Sequence, residues 1–318
     1  MGTQRHVPSA SGAALGLPAA TADLHCHTRR SDGMLEPVDL VAAAYAAGVR
    51  LLAIADHDNL AAYRELTAHG AQPLPDGLEL VPAVEINSIS RDRSLDLPEG
   101  ELHIVGIGVD PYDEAFEAAI ADQRNGRRHR FAASVVRLRE AGYPVDAFLP
   151  PDVMESDDAL GRPTLARALV AAGHAFNVQD AFDRLVGAGC PGYVPRVGLD
   201  PAGAIRAIRA AGGLASLAHF PQAAERMDLV RALIAAGLNG LETHHRSFDA
   251  DTRARMHSVA VSLGLTETGG TDFHGDTGPY SESHAALAMP ADLVEGVRRE
   301  LVGRPRANGH AGTTITAP

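Results

Sequence analysis

The sequence predicts an α/β barrel of six or seven βα units, interrupted by a helical insertion. Three observations carry that prediction. Short apolar runs alternate with helical patterns along most of the 318 residues, the mark of parallel strands joined by crossover helices. Side chains able to bind metal fall at or just past the C-terminal ends of those runs, where such barrels build their active sites. The alternation stops between residues 113 and 197, where no strong strand pattern occurs.

Thr21 to Thr28 reads as the first strand. Pro37 to Ala47 follows as a helix, with Pro37 suited to its first turn and Gly48 to its C-terminal end. Val49 to Ala55 is a buried strand, and Asp58 or Asn59 caps a helix running to about His69. Leu78 to Ser88 and Glu101 to Val109 are strands joined by a charged loop. The insertion opens with a long helical pattern, Asp113 to Ala141, expected to break or kink near Gly126, and continues with helical pieces around Gly161 to Ala172 and Val178 to Ala188. Gly213 to Ala218, Leu238 to Thr243 and Leu265 to Gly269 are later strands separated by Ala-rich helices. The division expected is a leader over 1–20, a barrel over 21–112 and 198–304, the insertion over 113–197 above the barrel mouth, and a loose tail over 305–318.

Composition narrows the function. With no Trp and 4% aromatic residues, the core must be built from Ala, Val, Leu and Ile. A net charge of −12 argues against a broad surface for long duplex nucleic acid, which needs a basic footprint. Two cysteines, Cys26 and Cys190, give no disulfide framework and fit a reducing cytoplasm. No apolar run approaches the ~20 residues of a membrane span.

The chemistry lies in six histidines and three carboxylates: His25, His27, Asp32, His57, Glu85, His103, His219, Asp272 and His274. His25 and His27 are two apart on a strand and share a face, so both can reach one ion while Cys26 points away. All but His103, which falls early in its run, sit at or beyond a strand's C-terminal end. Burying so many ionisable groups at one mouth without a cation would cost several kcal/mol each. Imidazole with carboxylate suits Zn, Mn or Fe, and the absence of thiolate disfavours a Cys-rich structural zinc. At about three to five ligands per ion, nine ligands imply two or three ions. Three divalent ions would bring about +6, of which three carboxylates offset about 3, leaving a pocket that favours a dianionic phosphate.

These residues stand in recognisable segments. Asp23-Leu-His-Cys-His-Thr-Arg-Arg-Ser-Asp-Gly33, Ala55-Asp-His-Asp58, Pro82-Ala-Val-Glu-Ile86, Glu101-Leu-His-Ile-Val-Gly106, Leu217-Ala-His219 and Gly270-Thr-Asp-Phe-His-Gly275 resemble the PHP (polymerase and histidinol phosphatase) family in order and spacing, from about residue 21 to about 275. The resemblance implies a distorted (β/α)7 barrel with a trinuclear site for Mn2+, with Fe2+ or Zn2+ as alternatives. It implies one ion on His25, His27, Glu85 and Asp272, a second on Asp32, His57 and His274, and a third bridged by Glu85 and held by His103 and His219. Within the family the chain looks most like stand-alone bacterial phosphoesterases with a helical insertion, which remove the 3′-phosphate of nucleoside 3′,5′-bisphosphates or trim short RNA from its 5′ end. Histidinol phosphate and a non-catalytic metal-bound module are the alternatives. Ala55 stands where the family usually has Thr, and Phe220 where the branch commonly has Pro, a change that could reshape the pocket wall.

A second substrate phosphate needs cationic anchors. Arg124, Arg127, Arg128 and Arg130 cluster on the long helix, and Arg124 and Arg128 share a face. Arg162 heads the next helix in a Gly-Arg-Pro segment similar to one in family members, where backbone N–H groups also favour an anion. Arg196 is a further candidate. Guanidinium suits phosphate because it binds bidentately. The substrate anchors expected are therefore Arg124, Arg128, Arg162 and Arg196. His245, after a strand end, is the candidate to protonate the leaving oxygen or bind the phosphate, with His244 alternating away. The partner expected is a phosphorylated nucleotide or short oligonucleotide.

Overall fold

The computed structural model describes residues 22–90, 100–151, 153, 160–275 and 278–302; the expected leader over 1–20 and tail over 305–318 lie outside them. Seven strands form one sheet in chain order: β1 (Ala22–Cys26), β2 (Leu51–Ile54), β3 (Glu79–Ile89), β4 (Glu101–Ile107), β5 (Leu214–Leu217), β6 (Gly240–His245) and β7 (Thr266–Gly270). The last strand meets the first. Asp272 N–H donates to His25 O at 2.7 Å and His27 N–H to Phe273 O at 2.9 Å, so the sheet is nearly closed into a barrel.

The direction of one strand departs from the expectation of parallel units throughout. β4 runs antiparallel to both β3 and β5, whereas the other neighbouring pairs are parallel. The charged segment between β3 and β4 is too short to carry a crossover helix, so the chain turns back on itself. This accounts for His103. Early in an antiparallel strand is the same end of the barrel as late in a parallel one, and His103 pairs with Asn87 near the end of β3.

The helices follow as α1 (Pro37–Ala46), α2 (Ala61–Thr67), α3 (Glu114–Glu140), α4 (Arg162–Ala171), α5 (Val178–Ala181), α6 (Pro201–Ala210), α7 (Met227–Ala235), α8 (Ala250–Leu263), α9 (Tyr280–Leu287) and α10 (Ala291–Leu301). Asn59 rather than Asp58 serves the start of α2, accepting from Ala61 N–H at 2.9 Å. Asp113 caps α3 by accepting from Phe116 N–H. The break expected at Gly126 is absent, and α3 runs on unbroken. Glycine is there for another reason: a Cβ would lie 3.2 Å from Val197 O, where the chain passes against the helix.

Small and branched aliphatics fill the core, as the composition demanded. α10 packs Leu293, Val294, Val297 and Leu301 against Leu24, Ala53, Ile107 and Leu214, closing the barrel end opposite the mouth. α3 and α4 share a separate apolar core of Phe131, Val135, Leu138, Leu165, Leu169 and Leu185. Phe220 turns into the main apolar cluster with Leu217, Leu229 and Leu241. No helix among the described residues is long and apolar enough to cross a membrane.

Candidate metal centre

All nine candidate ligands converge at the barrel mouth, and Glu85 lies at their centre. Fully buried in the second half of β3, it turns one oxygen to each side. Its Oε1 lies 2.7 Å from His103 Nδ1 and 3.2 Å from His219 Nε2. Its Oε2 lies 3.3 Å from both His25 Nε2 and His27 Nε2, and 3.0 Å from His57 Nδ1. Asp272 Oδ1 lies 3.2 Å from His27 Nε2, and Asp32 Oδ1 lies 3.2 Å from His274 Nε2. Three groups result, each compact enough for one ion: His25, His27, Glu85 and Asp272; His27, Asp32, His57 and His274; and Glu85, His103 and His219.

A test of fit for metal comes from unmet hydrogen bonds. His25 Nε2, both ring nitrogens of His27, Asp32 Oδ1, His57 Nδ1 and Glu85 Oε2 are buried without a hydrogen-bond partner, and each belongs to one of these groups. Buried polar atoms are normally paired. So many orphans facing one another fit coordination to cations.

Electrostatics agree. Burial alone would raise the carboxyls of Glu85, Asp32 and Asp272, yet the surrounding imidazoles hold all three well below the usual carboxylate range. Burial pushes His57 down to about 4, outweighing Asp32 and Glu85, so it is neutral and ready to ligate. His274 goes the other way: burial is outweighed by Asp32 and Asp272, which push it up to about 10.

Local backbone geometry aims these groups. Asp58, His219 and Asp272 have positive φ (51°, 29° and 47°), a conformation costly for residues with a Cβ and found where a site requires it. Asp23 fastens β1 to β7: its buried carboxylate accepts from the N–H of His25 and Thr271 and from the hydroxyls of Thr271 and Tyr280. Asp56 shapes the Asp32 loop in the same way, accepting from Thr28 N–H, Thr28 Oγ1 and Ser31 Oγ. Glu242 accepts from His219 N–H and lies 3.2 Å from His25 Nδ1, leaving Nε2 of that ring toward Glu85. Sequence reasoning passed over all three as functional residues. Asp23 and Asp56 stand in ligand-bearing segments and Glu242 three residues before His245, which is the only signal the sequence offers.

A register shift in β6 between Glu242 and His244 lets Glu242 and His245 both face the mouth despite their odd spacing. His245 Nε2 lies 3.6 Å from Asp272 Oδ2, and its Nδ1 accepts from Ser247 N–H at 3.2 Å. A neutral ring therefore carries its proton on Nε2, facing the site.

The arginines divide. Arg124 is taken up by Asp58 O, which ties α3 to the barrel, and by Glu117 on its own helix, and Arg128 reaches Asn125, also on that helix. Arg162 and Arg196 instead flank Glu101, next to His103: Glu101 Oε1 lies 3.9 Å from Arg162 Nη2 and 3.5 Å from Arg196 Nε. Arg196 Nε and Nη1 are buried without a hydrogen-bond partner. The start of α4 approaches the same place. Its N-terminal flank, Gly161, offers no side-chain cap, and a Cβ there would lie 3.2 Å from Asp32 Oδ2. A helix N-terminus without a side-chain cap and a buried guanidinium with donors to spare both suit an anion.

No family model matches the chain, but individual proteins do. A 5′-3′ exoribonuclease from Haemophilus influenzae is 34% identical over 279 residues, covering 86% of this chain and 96% of the relative. A 3′,5′-nucleoside bisphosphate phosphatase from Chromobacterium violaceum is 32% identical over 263 residues, covering 80% and 87%. A phosphoribosyl 1,2-cyclic phosphate 1,2-diphosphodiesterase from Eggerthella lenta is 31% identical over 273 residues, covering 85% and 99%. Among solved structures, a predicted metal-dependent phosphoesterase from Bifidobacterium adolescentis superposes with a TM-score of 0.75 at 32% identity, covering 89% of this chain and 97% of that one.

Proposed function

We propose a substrate and a division of labour from one premise: this chain belongs to the PHP-type metal-dependent phosphoesterases and is a hydrolase acting on phosphate esters. The substrate proposed is a nucleoside 3′,5′-bisphosphate, cleaved at its 3′-phosphate, with short RNA taken from the 5′ end as a related activity. The observation that carries this reading is Arg196, a buried guanidinium with unmet donors beside the candidate metal centre. A substrate with a second phosphate would satisfy those donors of Arg196, with Arg162 alongside on the other flank of Glu101. The three relatives act, by their names, on RNA, a nucleoside bisphosphate and a cyclic ribose phosphate, which disfavours histidinol phosphate.

The proposed ligands are the three groups described above, which would hold three divalent ions, with Glu85 and His27 each falling in two groups and Mn2+ the first candidate. Bound there, divalent cations supply Lewis acidity toward the phosphoryl oxygens and lower the pKa of a water. The chain's own residues do the rest. Arg196, Arg162 and the N–H groups of α4 hold the second phosphate and orient the ester. His245 Nε2–H gives its proton to the departing ribose oxygen as the P–O bond breaks. The 113–197 insertion, supported by its own apolar core, covers the mouth of the barrel formed by 21–112 and 198–304.

The test is hydrolysis of adenosine 3′,5′-bisphosphate beside histidinol phosphate in the presence of Mn2+. Release of 5′-AMP and phosphate from the first, at a higher kcat/KM than hydrolysis of the second, is expected. Preference for histidinol phosphate would overturn the substrate assignment.

A further inference from the structure

We infer that His103 Nε2 has two rival partners, Asn87 and Glu101, and that the choice between them sets how tightly the Glu85–His103–His219 group holds a cation. The inference rests on the reading of that group as a cation site.

Arg127 fixes the orientation of Asn87. This arginine of α3 is buried, with Nε 2.5 Å from Asp58 Oδ2 and Nη2 2.5 Å from Asn87 Oδ1. Guanidinium can only donate. Asn87 must therefore turn its oxygen to Arg127, and its amide nitrogen then faces His103 Nε2 at 2.7 Å. An amide nitrogen also only donates. His103 Nε2 must accept from it, so the neutral ring carries its proton on Nδ1, the nitrogen 2.7 Å from Glu85 Oε1.

A cation shared by Glu85, His103 and His219 needs the lone pair of that same Nδ1. The proton must then sit on Nε2, where Asn87 offers a second donor instead of an acceptor. The acceptor in reach is Glu101 Oε2, 3.8 Å from Nε2. Its other oxygen has only long contacts to Arg162 and Arg196, so a shift of under ~1 Å brings it to hydrogen-bond distance. Asn87, fixed by Arg127, opposes the ligating tautomer of His103, and Glu101 favours it. Partners of this kind on a ligating histidine change metal affinity by about 10–100-fold. Glu101 also joins two sites, since an anion that engages Arg162 and Arg196 frees it to turn toward His103.

The test reads the tautomer itself. Nitrogen NMR of 15N-histidine-labelled protein, with His103 assigned by a His103→Ala variant, is recorded before and after titration with diamagnetic Zn2+. Because Glu85 and Glu101, outweighing burial, raise this ring to about 9, the zinc-free spectrum is recorded above that pH, where a proton on Nδ1 is expected, moving to Nε2 once zinc is bound. Zinc affinity of the weakest of the three ions gives a second readout of opposite signs: Asn87→Leu should tighten it several-fold, and Glu101→Gln should weaken it about tenfold. A His103 that keeps one tautomer throughout, or two variants that shift affinity in the same direction, overturns this inference while leaving the cation site standing. A wild-type chain that takes no ion at this group overturns the cation reading and this inference with it.

Discussion

The carboxylate of Glu242 lies 3.2 Å from Nδ1 of His25, and both side chains are almost wholly out of solvent. The same carboxylate takes the N–H of His219, a residue held at positive φ. One buried side chain thus aims two candidate ligands that stand in different metal groups.

Replacing Glu242 with Gln removes one of those two bonds, because the amide nitrogen cannot accept. Metal retained after dialysis, read by elemental analysis, should fall with a loss of affinity of about 10–100-fold. Stability should drop by about 1–3 kcal/mol, read from denaturant unfolding. Unchanged metal content would show that Glu242 has no hold on the ligands.

The role proposed for His245 is to supply a proton and not to bind metal. His245→Gln should lower kcat by about 10²–10⁴-fold with cation content unchanged. Full turnover in that variant would remove His245 from the chemistry.

Arg196 predicts a substrate-dependent effect. Burial, reinforced by repulsion from Arg127, pushes its guanidinium down to about 9 despite Glu101. Hydrogen bonds to charged groups are worth about 1.5–3 kcal/mol. Arg196→Met should therefore raise KM for adenosine 3′,5′-bisphosphate by about tenfold or more and leave hydrolysis of p-nitrophenyl phosphate, which has no second phosphate, nearly unchanged. An equal loss on both substrates would place Arg196 in the structure of the mouth instead of in recognition.

Metal binding should release protons. Asp32 and Asp272, outweighing burial, keep His274 protonated up to about pH 10, and ligation requires the neutral ring. The sign follows: a cation must displace a proton at neutral pH, so apparent affinity rises as pH rises toward 10. Calorimetric titration with Zn2+ in buffers of different ionisation enthalpy should report about one proton or more released per chain. Heats independent of buffer would contradict the assignment of His274.

The parts of the site legible in the sequence are those where local geometry alone decides which way a side chain points. His25 and His27, two apart on a strand, had to share a face, and the barrel rule put His57, Glu85, His219, Asp272 and His274 at one end. His103 was visible as a histidine near the right motif but misplaced within a parallel reading, because strand direction depends on a turn no periodicity reports. Glu242 was hidden because strict alternation puts it on the face opposite His245, and only the register shift in β6 turns both toward the mouth. The basic run on the long helix showed its charge but not its bonding: Arg124 and Arg127 fasten that helix to the barrel, while Arg196, distant in sequence, keeps unmet donors. Gly126 read as a breaker because close backbone approach and helix breaking leave the same residue behind.

The proposed function requires the nine converging residues to bind divalent cations that make phosphate-ester cleavage run. It is tested most directly by measuring phosphate release from adenosine 3′,5′-bisphosphate after the protein is stripped with chelator and then titrated with Mn2+. Negligible release from stripped protein and restored turnover that saturates with added metal are expected. Equal turnover in stripped protein, or none with Mn2+, Fe2+ or Zn2+ added back, would contradict it.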